Sequence, residues 1–142
     1  MTEEPGSQQV IPLDVVEQGK SMALLSWAGM LLGLPLFLVP FLQDDNAFSM
    51  YHARHALTTF LASMIWSFLI VGFFIVCTYA TCGVGVVIFP LVMILVMLPL
   101  IPTIDGLIKA SNGVAAPPMG IGDVTSMLFP GQKTSAVPPS DP

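Results

Sequence analysis

A chain of 142 residues that is 54% hydrophobic and 9% charged, with a mean hydropathy of +0.82, has too little polar surface to cover a water-soluble globule of its size. Four basic against nine acidic residues leave a net charge of −5. Because Lys20, Arg54, Lys109 and Lys133 lie scattered, no basic stripe exists for nucleic acid and no polybasic cluster for an anionic membrane surface. Lipid has to do the covering, and the expected class is an all-α integral membrane bundle.

In chain order, residues 1–11 (MTEEPGSQQVI) are polar, with Pro and Gly, and read as a flexible end. They are acidic rather than basic, and no small-residue cleavage pattern follows the first apolar run, so that run is expected to stay in the protein. Pro12 is suited to open a short N-terminal helix, with Asp14 and Glu17 near the positive end of its dipole. An uncharged run from Ser21 to Gln43 then predicts a first span at about 22–42, bent in its second half by Pro35 and Pro40. A carbonyl freed by a proline in lipid needs a neighbouring donor.

A second uncharged run, Ala56 to Ile104, is 49 residues. As one helix it would be roughly 70 Å long, over twice the hydrocarbon thickness. It must fold back, and Thr78 to Gly85 (TYATCGVG) supplies the turn chemistry. Spans at about 56–77 and 84–102 follow, the last bent by Pro90, Pro99 and Pro102. Asp105 and Lys109 stand in the favourable i, i+4 order on an emerging helix tail, and Asn112-Gly113 is a stop. Residues 112–142 form a Pro-rich, irregular tail. Within it, Pro118 to Phe129 is suited to a short interfacial helix with Ile121, Val124, Met127 and Leu128 on the membrane face, and the last dozen residues read as disordered. The expected organisation is therefore a polar segment 1–20, a three-helix transmembrane domain 21–111 and the tail 112–142. Three spans place the N-terminus with the Thr78–Gly85 turn, and the polar loop before the second span with the tail. Counting Lys20 against Arg54 and Lys109 puts the loop and tail in the cytoplasm.

The polar island Gln43 to Phe60 (QDDNAFSMYHARHALTTF) holds the candidate site. Asp44, Asp45, His52 and His55 make a ligand inventory for a divalent ion, with Asp44 and Asp45 as the ion contacts. The H-x-x-x-H spacing of single-helix sites is missing, so no metal or other cofactor is assigned. The preferred reading has Asp45 or Asn46 capping the second span, with the histidines and Arg54 in the headgroup layer. Cys77 and Cys82 flank the turn and are a candidate disulfide if it faces an oxidising compartment; otherwise they are small apolar residues at a helix end. Trp27 and Trp66 fall inside the spans and read as packing groups. No ionisable residue lies at mid-depth, and no nucleophile–base set or phosphate-binding glycine loop appears, so an enzyme, like a small-molecule substrate, is not expected.

Phe48 ahead of Tyr51-His52-Ala53-Arg54-His55-Ala56-Leu57 resembles the signature of a widespread family of small bacterial membrane proteins, an aromatic followed by His-Ala-Lys/Arg-Gln-Ala-Leu. Lys109 to Ile121 (KASNGVAAPPMGI) resembles the family's C-terminal end. The magnetosome proteins MamF and MmsF look like members, and the chloroplast inner-envelope import channel is distantly similar. The resemblance runs from about Met22 to Val124; His55 departs from it, standing where Gln is usual. It implies a three- or four-helix bundle in the bacterial cytoplasmic membrane, with Tyr51, His52, Arg54 and His55 as signature residues for headgroup or partner contact. It implies no activity. The expected role is a non-enzymatic accessory or scaffold subunit, with membrane lipids and other membrane subunits as partners. The alternatives are a translocation or channel component, and a membrane-organelle or mineral-associated protein.

Overall fold

The computed structural model of the protein describes residues 11–43 and 45–130. The polar N-terminal end, Asp44 and the last dozen residues lie outside that range. Every regular element among the described residues is helical: α1 Leu13–Leu31, α2 Leu38–Gln43, α3 Ala47–Ala80, a 3-10 segment Val84–Ile88, α4 Phe89–Met97, α5 Leu100–Ser111 and α6 Gly122–Leu128.

Proline sets where the helices begin. Pro12 is the N-cap of α1, Pro99 the N-cap of α5, and Pro90 sits in the first turn of α4. Pro40 and Pro102 each fall third in their helices. These are the positions whose N–H has no intrahelical partner, so the missing donor costs little. Left-handed residues set where helices end. Gly33 (φ 71°) closes α1, with Leu34 N–H donating to Gly29 O at 2.8 Å, and Gly113 (φ 72°) closes α5, with Val114 N–H donating to Lys109 O at 2.9 Å. These are Schellman closures, and Asn112-Gly113 stops the helix as its sequence indicates.

Two apolar segments, Ala47–Ala80 and Val84–Ser111, are long enough to cross a membrane. At 34 residues, α3 is about 51 Å long against a hydrocarbon core of about 30 Å. Its lower half is apolar and exposed on several faces, with Leu61, Ile65, Phe68, Val71, Phe73 and Val76 all open. Such a surface suits lipid.

The expected first span is not one helix. The N-terminal helix and the start of the apolar run fuse into α1, which stops at Leu31, and the chain turns through Gly33 and Pro35 before α2. Contacts along α1 fix its direction. Asn46 Nδ2 donates to Val15 O at 2.8 Å, the Trp27 indole meets His52, and just past α1 the Phe37 ring packs on Phe60 at 5.3 Å. Ascending residues of α1 thus meet ascending residues of α3, and the two helices run parallel. Between them the chain has to double back, so α1 and α2 form a hairpin that returns to the end of the bundle where α1 begins. The start of α1, the Asn46 loop and the end of α5, where Gly113 lies against Val16, gather at one end of the bundle. This corrects the expected arrangement, which put the N-terminus with the Thr78–Gly85 turn. Hydropathy counts apolar residues, and the run 22–42 has enough of them; only the break at Gly33-Leu34-Pro35 reveals the reversal.

The described part of the tail also differs from expectation. Ala115 and Pro118 are buried, and Lys109 Nζ bonds both Asp105 Oδ2 and Pro117 O at 2.7 Å. Met119 N–H donates to the same Asp105 oxygen at 2.9 Å. One ion pair therefore straps residues 117–119 back onto α5.

Candidate functional site

Asn46 positions the site. Its Oδ1 accepts from Phe48 N–H at 2.9 Å and Ser49 N–H at 3.2 Å, capping α3, while its amide ties α3 to the first turn of α1. Gly19 makes room for it, because a Cβ there would collide with Asn46 Oδ1. The cap expected of Asp45 or Asn46 falls to Asn46.

Spacings of three and four residues then turn Phe48, His52, Ala56 and Thr59 toward α1 and α5, and Arg54 and Thr58 toward α6. Trp27, fully buried on α1, donates its indole N–H to His52 Nδ1 at 3.1 Å. Since Nδ1 accepts, the ring proton resides on Nε2, which lies beside the Val114 backbone without completing a hydrogen bond. Phe48 and Tyr51 stand edge-on to His52, at 4.7 and 5.4 Å between centroids. Tyr51 also lies 4.3 Å from the His55 ring. His55 Nδ1 is 3.0 Å from Tyr51 O and, facing a carbonyl, must be the donor. Gly106 of α5 gives the Trp27 ring its seat; a Cβ there would fall 2.5 Å from it.

The signature residues are thus brought together, with both histidines and Tyr51 enclosed in the bundle. His52 is 1% exposed, His55 4% and Tyr51 6%. Burial is tolerable because each imidazole has its Nδ1 hydrogen-bonded inside the bundle, although His52 Nε2 goes without a partner. Arg54 is the exception: it is half-buried, with its guanidinium 5.5 Å from the centroid of the Phe129 ring just past α6.

Asp45 is exposed in the loop ahead of the cap, apart from the histidines, and Asp44 lies outside the described residues. Among the described residues no three of His, Cys, Asp or Glu gather as a metal cluster. Cys77 and Cys82 are free thiols rather than a disulfide: Cys77 remains inside α3, and Cys82 (φ 51°) occupies the left-handed position that ends the helix. Sequence reasoning missed the pairing of Trp27 with His52, the Gly106 seat and the Phe129 ring over Arg54. A buried indole does require an acceptor, so Trp27 advertised a polar partner without naming it.

The profile of the magnetosome magnetite crystal formation protein family, MamF/MmsF, matches residues 18–121, which contain Trp27, Asn46, the signature residues and Gly106 but not Phe129. The chain belongs to that family. This agrees with the resemblance carried by Tyr51 to Leu57, whereas the similarity expected to the chloroplast import channel finds no support. Comparison with curated proteins and with solved structures returns no match. Family membership and the two long apolar helices together make this MamF/MmsF-family chain a membrane protein, in a family described by magnetosome crystal formation.

Proposed function

We propose that the protein is a non-enzymatic accessory subunit of the magnetosome membrane, acting in magnetite crystal formation through partner proteins. The match over residues 18–121 to a family described by crystal formation carries this reading. In it, α3 and the segment from Val84 to Ser111 cross the bilayer, and the α1–α2 hairpin, the Asn46 loop and α6 stay at one surface. Lys20, Arg54 and Lys109 all lie toward that end, and the Thr81–Gly83 turn carries no basic residue, so the positive-inside rule favours a cytoplasmic polar end. Partners then dock on the cytoplasmic side and influence the crystal indirectly. The expected tail contact with a neighbour is narrowed to residues beyond Phe129, because the tail up to that point packs on its own chain.

Deleting the gene in a magnetite-forming bacterium should alter crystal size or number, and the wild-type chain recovered in mild detergent should bring a stoichiometric protein with it. Crystals unaffected by the deletion would defeat the reading. Replacing Asp44 and Asp45 by Asn separates this reading from direct ion contact: indirect action predicts normal crystals, and a deletion-like phenotype would favour the loop as an ion contact.

A further inference from the structure

Among the described residues the only ion pair is Lys109 with Asp105, which leaves the Arg54 guanidinium without a carboxylate. Its Nε is buried and without a hydrogen-bond partner, and so is the hydroxyl of Tyr51. The two residues are three apart on α3 and so lie on neighbouring ridges of one helix face. Tyr51 is more than nine-tenths buried, so its hydroxyl has no routine access to water. Two unmet donors on one face, one of them cationic, are the chemical complement of an oxyanion.

Depth selects the oxyanion. Arg54 stands seven residues before Leu61, the first exposed large apolar side chain of α3, and so about 10 Å above the start of its lipid-facing surface. That is the outer edge of the headgroup layer, from which a long arginine side chain reaches down to the phosphates. Phe129 covers one face of the guanidinium by cation–π contact, a mode that leaves its edge donors free for a bidentate phosphate. α6 bears exposed Val124, Met127 and Leu128, suited to rest in the same interfacial layer.

We propose that Arg54 and Tyr51, beside α6 and Phe129, form a binding site for a phosphate group at the membrane surface. The site goes beyond the accessory role and does not depend on it. A lipid headgroup and free phosphate share the required chemistry, and the test separates them.

The full chain, purified in mild detergent with phosphatidylglycerol, is compared with Arg54→Gln, Arg54→Lys and Tyr51→Phe by native mass spectrometry and thermal melting, with circular dichroism confirming the fold. Retained phosphatidylglycerol should fall about tenfold or more in Arg54→Gln, and to a smaller degree in Arg54→Lys, which keeps the charge but loses the fork, and in Tyr51→Phe. A delipidated wild-type chain whose melting temperature rises with sodium phosphate but not with sodium chloride of equal ionic strength, a response lost in Arg54→Gln, would assign the site to free phosphate. If Arg54→Gln does not fold, Arg54→Lys and Tyr51→Phe carry the same comparison. Lipid retention and phosphate response unchanged across the folded variants would overturn the proposal, whatever the deletion phenotype.

Discussion

The indole N–H of Trp66 donates to the carbonyl of Leu95 at 2.8 Å. Leu95 is four residues before Pro99, so proline deprives its carbonyl of the i+4 donor and leaves it only a long backbone bond from Leu98 N–H, at 3.3 Å, at the break between α4 and α5. A side chain from α3 thus repairs, in the apolar part of the bundle, the damage a proline does to the opposite helix.

Trp66→Phe keeps the ring and removes the donor. The loss should be about 1 kcal/mol, within the range for hydrogen bonds between membrane helices. Reversible unfolding in mixed detergent measures it. With Pro99→Ala in the background, residue 99 regains an N–H for Leu95, so the cost of Trp66→Phe should shrink; an equal cost in both backgrounds would refute the repair.

Gly106→Ala sets two effects against each other. Alanine improves helix propensity by about 0.8–1 kcal/mol. The added Cβ, however, meets the Trp27 ring at 2.5 Å, and overpacking costs about 1–3 kcal/mol. Because α1 and α5 are both held at this contact, overpacking should win and the melting temperature should fall. In a Trp27→Leu background the same substitution should become neutral or stabilising.

Asn46 has two functions that separate by substitution. Asn46→Asp retains the acceptor that caps α3 but loses the amide donor to Val15 O, while Asn46→Ala loses both. The alanine variant should be less stable by about 1–2 kcal/mol. The aspartate variant should keep α3 intact yet loosen α1, visible as faster hydrogen exchange confined to residues 13–31.

The proposed two-crossing arrangement, with α1 and α2 as a hairpin on one surface, predicts which positions share a side. With Cys77 replaced by Ser, single cysteines at Asp14, Asp45 and Ser126, each made with Cys82 also replaced by Ser, should react with a membrane-impermeant thiol reagent from one side of oriented vesicles. Native Cys82, tested alone, should react only from the other. Labelling of Asp14→Cys and Cys82 from the same side would restore the three-crossing arrangement.

The features legible in the sequence are the local ones. The Asn46 cap, the Asp105–Lys109 pair, the Asn112-Gly113 stop and the fold-back near Thr78–Gly85 depend on residues a few positions apart, and each appears where its spacing indicates. The direction of α1 depends on Val15 meeting Asn46 and Trp27 meeting His52, contacts 31 and 25 residues apart that no local pattern encodes. Burial of His52 escaped for the same reason. A histidine in a polar stretch reads as a surface group until the indole that bonds its Nδ1 is found on another helix. The left-handed backbone of Cys82, more often the place of glycine, is likewise invisible in composition.

The turn between α3 and α4 has a bearing on how the chain enters its membrane. From Ala56 to Ile104 there is no charged residue and no histidine, and Thr81-Cys82-Gly83 at the tip is small. Inserting the hairpin tip-first transfers only neutral side chains through the hydrocarbon, so the several kcal/mol that a translocated Asp, Lys or Arg would add are not incurred. In the proposed two-crossing arrangement every Asp, Glu, Lys, Arg and His of the described helices stays behind at the starting surface, and insertion of the hairpin carries no charged side chain across.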